Sequence, residues 1–421
     1  YWTRDFMQRE WDNLWTKIWH VAGRVNQLDE PGDYIVHDFM HETVVIVKQT
    51  DGSLKGFYNV CSHRAQRLVW ESGSMDQFHC SYHGWKFGLD GVLLEVQDPD
   101  DYPQGDPCGK VNLIEVRVDT WAGMVWYTMD DEAPALLDYL HPIPEIYKNF
   151  KWDEQVRVQW VRVDLDCNWK FWCDNFNESY HTRTAHKQVP PVIDQDHFTS
   201  RYEMYPNGHG RIIQMGRPSL RDRLPDDVPH PFDAELRNWD IDPDSYPDFE
   251  TKAMQGWLDL KMAKKKLWKE KGYEHYEHLD SEELTESPFT FCFPNVSLGI
   301  SSDGMSVFRY EPHRDDPEKC HFDFWTMTHH IKGEQDYVVR TATRKMEIEE
   351  AELEHMVYPT DPRLEKLSDT VVFQDWGLNK GQKDGWRSRG YQEPIMAKQE
   401  SRVRKFHENL NDCLAGNPPW K

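Results

Sequence analysis

Two short pairs of metal-capable side chains, Cys61-x-His63 and Cys80-x-x-His83, lie sixteen residues apart and constrain this chain more than any other feature. Each pair falls beside a turn in a stretch of short strands, so the two can close on one centre. Zinc accepts two thiolates and two imidazoles. Here, however, each pair mixes one thiol with one imidazole at short spacing. That suits a [2Fe–2S] cluster in which two thiolates hold one iron and two imidazoles hold the other. Neutral imidazole in place of thiolate reduces the negative charge around such a cluster and raises its potential. Gly84 and Trp85 bring backbone and an apolar lid to the second loop, and contacts of this kind tune potential through solvent access and hydrogen bonds. A Rieske-type cluster on Cys61, His63, Cys80 and His83 is the reading; structural zinc is the competing one.

The remaining six of the eight cysteines are scattered over 421 residues, which is no disulfide framework and fits ordinary buried thiols in a reducing compartment. A formal charge of −24 argues against nucleic acid, because phosphate neutralisation needs clustered Lys and Arg. The basic run at 261–269 reads as a solvated helix face. No apolar run is long enough to span a membrane and no charged-then-apolar leader opens the chain, so a cytoplasmic location without membrane attachment is expected.

Residues 1–18 show a loosely helical apolar stripe of Phe6, Trp11, Leu14, Trp15 and Ile18. From about 21 to 129 short strands alternate with tight turns, including a hairpin of 43–47 and 54–60 around Asp51-Gly52. An acidic, proline-bearing connection follows. The spacing then predicts a strand at 156–163, a helix opening near Asn168, polar text over 206–290 with one helix near 249–271, and strands at 296–301, 305–310 and 321–331. A charged helix at 343–356 and a final helix at 371–384 close the chain. The class is α+β. Residues 19–135 form a small all-β domain; residues 136–421 form a larger domain with an antiparallel sheet flanked by helices, against which helix 1–18 is expected to pack.

The second informative text runs from Asn168 to His186. On a helix, Trp169, Trp172, Phe176 and Tyr180 share an apolar face, and Asp174, Glu178 and His181 share another. Thr182 and Thr184 weaken helix propensity and Pro190 ends it, so the chain can bend to bring His181 and His186 to one point. Two histidines and a carboxylate from elsewhere make the facial triad of non-haem Fe(II) oxygenases, with positions left open for oxygen. His-x4-His alone is a weak signal; beside a redox cluster that needs an electron acceptor it gains weight.

The text Asn168-Trp169-Lys170, then Asp174-Asn175-Phe176-Asn177-Glu178, His181 and His186, resembles the mononuclear iron motif of the large (alpha) subunits of Rieske non-haem iron aromatic-ring-hydroxylating oxygenases. The resemblance covers nearly the whole chain. It implies a helix-grip (START-like) catalytic domain and iron held by His181, His186 and a late aspartate. Asp375 matches that position best, with Asp361, Asp369 and Asp384 as rivals. It implies that Glu178, where the family most often has Asp, links His83 of one chain to His181 of the next, and that Asn175 lies near the iron. It further implies electrons from NAD(P)H through a separate flavin reductase or ferredoxin, and a homotrimer (α3) or an α3β3 assembly. The expected activity is O2-dependent hydroxylation of an aromatic or other hydrophobic ring, as in aromatic hydrocarbon catabolism. A monooxygenase or demethylase acting on an amine, aryl ether or steroid-like skeleton is the alternative, and a non-catalytic electron carrier the remote one.

Overall fold

The computed structural model describes residues 2–221, 231–339 and 344–420. The chain divides into two compact units, residues 5–144 and residues 145–421 together with 1–4. Among the described residues no helix is long and apolar enough to cross a membrane.

The smaller unit is built on a seven-stranded sheet, all of whose pairs are antiparallel, in the order Trp19–Arg24, Met124–Thr128, Glu115–Trp121, Leu54–Tyr58, Glu42–Lys48, Asp33–Phe39 and Gly73–Ser74. The Asp51-Gly52 hairpin forms as its residues dictate, with Gly52 at φ +86. The strand Glu42–Lys48 does not alternate apolar with polar because both its faces are covered. Val44 and Ile46 pack with Ile35, Val125 and Tyr127 on one side, while Val45 and Val47 face Phe57, Phe78, Phe87, Cys61 and Cys80 on the other. A second, three-stranded sheet of Phe78–His79, Lys86–Phe87 and Leu93–Glu95 carries the second cysteine loop.

From residue 5 onward, the N-terminal segment groups with this smaller unit, whereas the sequence placed helix 1–18 on the larger one. The helix is Arg4–Asn13, and the reason for its grouping lies just beyond it. Trp15 is fully buried, with its ring 5.2 Å from Phe39, and Trp11 meets His41 at 5.5 Å. The unit also runs on to Pro144 rather than ending at 135, since Trp19 Nε1 donates to the Pro134 carbonyl (3.0 Å) and Leu136, Tyr139 and Leu140 are buried.

Gly91 is a position where the backbone demands glycine. Its φ is +84, and a Cβ there would lie 2.4 Å from Cε1 of the fully buried Phe57 ring. Gly91→Ala is expected to destabilise this unit by roughly 2–4 kcal/mol, from the left-handed backbone and the overpacking together; the shift of the chemical denaturation midpoint measures it.

The larger unit is an eight-stranded sheet in the order Arg201–Met204, Gly210–Met215, Glu286–Cys292, Val296–Ile300, Gly304–Pro312, Cys320–Thr328, Val156–Leu165 and Leu353–Val357. All neighbours are antiparallel except the last pair, which is parallel. The helices Lys170–Phe176, Val371–Trp386 and Ser401–Leu414 bring aromatic side chains to it: Trp172 meets Phe322 at 4.9 Å, Trp376 meets Phe322 at 5.9 Å and Phe406 meets Phe291 at 5.9 Å.

Three expectations need correction here. The charged segment 343–356 is not a helix; its described part forms the strands Arg344–Glu347 and Leu353–Val357. Edge pairing with Val156–Leu165, which buries Met356, outweighs the helical propensity of its Glu, Lys and Ala residues. The helix opening near Asn168 stops at Phe176, so Asp174, Glu178 and His181 do not share a helical face, and Tyr180 is exposed. Finally, Val371–Trp386 is not the last helix. Ser401–Leu414 follows it, burying Val403, Phe406, Leu410, Cys413 and Leu414, an apolar stripe at helical spacing that the sequence reading passed over.

Candidate active site

The two cysteine loops of the smaller unit share one backbone design. Cys61 N–H donates to the Gln66 carbonyl (2.8 Å) and Ala65 N–H returns to the Cys61 carbonyl (3.1 Å). In the same pattern Cys80 N–H donates to the Trp85 carbonyl (2.8 Å) and Gly84 N–H to the Cys80 carbonyl (3.0 Å). Each loop needs a left-handed residue four places after its cysteine, which is Gly84 at φ +68 in one and Ala65 at φ +57 in the other. The loops converge: the rings of His63 and His83 lie 4.6 Å apart, and Trp85 stacks on His63 at 4.6 Å and 6°.

Cys61 and Cys80 are buried. Burial, reinforced by the neighbouring Cys80 thiol, pushes the Cys61 thiol up to about 11, and burial together with the proximity of His83 holds His63 below the usual imidazole range. Nδ1 of His63 is buried without a hydrogen-bond partner. Two adjacent buried thiols and an orphaned imidazole nitrogen fit iron, because a bound metal ionises thiols and takes up a bare nitrogen lone pair.

In the larger unit the break after Phe176 places His181 at the start of the short helix Thr182–Ala185 and His186 at its end. Asp375 enters from the first turns of Val371–Trp386, a helix capped by the Thr370 hydroxyl, which accepts from Phe373 N–H (3.2 Å). His186 Nε2 is 3.0 Å and His181 Nε2 3.6 Å from Asp375 Oδ1, and one ligand atom from each of the three residues lies within 4.8 Å of the others. His186 Nε2 and Asp375 Oδ1 are buried with no hydrogen bond of their own. A buried carboxylate oxygen facing bare imidazole nitrogens is costly unless a cation joins them. Two histidines and one carboxylate, with the rest of the space open, is the donor set of a non-haem Fe(II) site. Of the four aspartates weighed from sequence, Asp375 is the one beside both imidazoles; Asp361 instead pairs with Arg363 on the surface.

Glu178 is not on a solvated helix face. Its carboxylate takes the backbone N–H of Tyr180, the N–H of His181 (3.2 Å) and the His181 Nδ1–H (2.5 Å), all within its own chain. Burial pushes His181 down, but Glu178 and the more distant Asp375 outweigh it and hold the imidazole above its usual range. Asn175 lines the adjoining cavity, with Nδ2 buried and unpartnered. Two residues that the sequence reading gave no role also appear here. Gln374 Oε1 accepts from His186 Nδ1 (2.7 Å) and from Gln188 Nε2 (3.0 Å). Side-chain amides carry no sequence signature for such a role.

The cavity beside the three residues has a volume of about 230 Å³ and is walled by Phe176, Phe289, Phe308, Ile212, Met305 and Met327. Phe176 stacks on Phe308 at 4.9 Å and on Phe289 at 5.6 Å, forming an aromatic wall beside the imidazoles. Ile212 and Phe289 come from the two ends of the 206–290 region, on the strands Gly210–Met215 and Glu286–Cys292.

Residues 152–416 match the family described as ring hydroxylating alpha subunit (catalytic domain), and residues 18–108 match the Rieske [2Fe–2S] domain. The second match selects the iron cluster over zinc. Choline monooxygenase of Beta vulgaris chloroplasts is 29% identical over 201 residues, 46% of this chain and 45% of that protein. The large oxygenase component of the naphthalene 1,2-dioxygenase system of Pseudomonas aeruginosa is 32% identical over 190 residues, 43% of this chain and 42% of that protein. The chain thus spans about half the length of the curated relatives it matches. A solved quaternary ammonium Rieske monooxygenase, studied for carnitine oxidation, shares the fold at a TM-score of 0.66 and 19% identity, covering 96% of this chain and 91% of that one.

Proposed function

The chain belongs to the ring-hydroxylating oxygenase alpha-subunit family and carries a Rieske [2Fe–2S] domain, and from this premise we propose that it is a terminal monooxygenase acting on a small N-alkylated amine. We assign the cluster to Cys61, His63, Cys80 and His83, and the mononuclear iron to His181, His186 and Asp375. When bound, these groups supply single electrons and oxygen activation. The electrons come from NAD(P)H through a separate reductase or ferredoxin, and the assembly is a trimer. A matching catalytic domain speaks against a mere electron carrier.

The observation that carries the amine reading is the cavity's charge. Its described lining includes two carboxylates, Glu178 and Asp375, and no lysine or arginine. The proposed Fe(II) offsets Asp375, and Glu178 is paired with His181, so an aromatic wall without a fixed positive side chain suits a cation or a neutral molecule and disfavours an anion. Choline and carnitine monooxygenases among the similar proteins point the same way, and support this alternative over the ring hydroxylation placed first by the sequence. Phe176, Phe289 and Phe308 hold the substrate by its alkyl groups and keep water out, and Glu178 keeps the His181 imidazole oriented with Nε2 toward Asp375.

Ring hydroxylation remains the second reading, favoured by the naphthalene dioxygenase relative. Turnover with a surrogate reductase on a panel of amines, aryl ethers, steroids and arenes under 18O2 separates the two. One labelled atom per turnover with loss of an N-alkyl group as aldehyde supports the amine reading. A dihydrodiol bearing two labelled atoms overturns it.

Glu178→Gln is expected to slow product formation roughly 10–100-fold while both metal centres stay loaded, because it weakens the hydrogen bond orienting His181. Steady-state rates alongside iron and sulfide analysis test this. Unchanged turnover would remove Glu178 from the proposed machinery, including the link to His83 of a second chain that the family resemblance implies.

A further inference from the structure

The two iron-side histidines are held by chemically different partners. His181 Nδ1 meets a carboxylate, Glu178, whereas His186 Nδ1 meets the neutral amide of Gln374 (2.7 Å). A carboxylate accepts from either oxygen, so it dictates the His181 tautomer unaided. An amide does not: turned over, Gln374 would offer its NH2 to Nδ1, and the ring proton would move to Nε2, the atom facing Asp375.

What prevents the turn is a chain of hydrogen bonds that ends on an atom with no alternative role. The Asp369 backbone carbonyl is an obligate acceptor, and Gln188 Nε2 donates to it (3.3 Å). The same Nε2 donates its second hydrogen to Gln374 Oε1 (3.0 Å). With Gln188 fixed as donor, Gln374 must present oxygen, and that oxygen then accepts the proton of His186 Nδ1. His186 Nε2 is left as a bare lone pair 3.0 Å from Asp375 Oδ1.

We propose that Gln188 and Gln374 are positioning residues that transmit the polarity of the Asp369 carbonyl to His186 and so fix the tautomer able to bind iron. The sequence places the parts economically. Gln188 lies two residues after His186, and Gln374 directly precedes Asp375, so each amide adjoins one of the proposed ligands in sequence. The relay makes His186 a weaker donor than His181, because its partner carries no charge.

This inference rests on His186 being an iron ligand, and the test separates the two. Fe(II) affinity of the mononuclear site is measured by competition with a chromophoric chelator, together with the EPR spectrum of the nitric oxide adduct; Rieske content is followed independently. Gln374→Leu is expected to weaken Fe(II) binding about 10–100-fold. Gln188→Leu should weaken it less and alter the nitric oxide spectrum. Gln374→Glu, which restores an acceptor, should recover most of the affinity. The double Gln188→Leu/Gln374→Leu variant should be no worse than Gln374→Leu, since Gln188 acts only through Gln374. Wild-type affinity and spectrum in Gln374→Leu, or additive losses in the double variant, would overturn the relay. Retention of iron by His186→Ala would instead overturn the ligand assignment beneath it.

Discussion

His186→Ala and Asp375→Ala are each expected to cost the chain its mononuclear iron, about one atom per chain, and to reduce oxygenation to background while the Rieske signal persists. The donor set has three members, and an open site with two protein ligands binds Fe(II) poorly. Asp375 is only 1% exposed, so losing both its cation and its imidazole neighbour also strands a buried carboxylate. That stranding destabilises the larger unit by roughly 1–3 kcal/mol in His186→Ala. Asp361→Ala, Asp369→Ala and Asp384→Ala serve as comparisons and should retain iron. Metal analysis with EPR of the reduced protein decides the matter; an Asp375→Ala protein that keeps its third iron would refute the assignment.

Cys61→Ser should have an equally large effect on the other centre. The brown colour and the reduced-state EPR signal disappear, turnover stops for want of electrons, and the mononuclear site still takes up Fe(II). The loss extends to stability. Cys61 and Cys80 belong to the same core as Phe57, Phe78, Trp85 and Phe87, and a cluster held as proposed ties their two loops together. Metal-coupled folding contributes several kcal/mol in small metal-stapled domains, so the smaller unit should unfold at a distinctly lower denaturant concentration than in the holoprotein. A hydroxyl is also a poorer occupant than a thiol of that apolar position. Thermal unfolding followed by tryptophan fluorescence, with iron and sulfide counted beforehand, measures both parts. Persistence of the Rieske signal in Cys61→Ser would remove that residue from the ligand set.

The cluster loops were legible because their chemistry is local. Two Cys–His pairs at short spacing, each on a tight turn, carry their meaning within a few residues. The hairpin around Gly52 and the helix from Val371 were legible for the same reason: a turn that needs positive φ, and an apolar period that needs a helix. The segment 343–356 was misread because helical composition is a weak prior against pairing with a strand nearly two hundred residues earlier. Residues 5–18 were placed on the wrong unit because an apolar stripe announces burial without naming its partner; Phe39 and His41 are that partner. Glu178 was expected to join His181 to His83 of another chain, and its bonds to His181 are the part of that link that spacing of three residues makes local.

From residue types and spacing alone, then, come the cofactor classes, the identity of the cysteine and histidine ligands proposed for the cluster, and the histidine pair proposed for the iron. Which of four aspartates completes that pair depended on the fold, since nearly two hundred residues separate Asp375 from His186 and any late helix turn could have supplied it. The same holds for the Gln188–Gln374–Asp369 chain and for the aromatic wall of Phe176, Phe289 and Phe308. Ligand chemistry is a property of a side chain and can be read from its name. Hydrogen-bond polarity and pocket charge are properties of neighbours, and neighbours distant in sequence exist only after the sheet has closed.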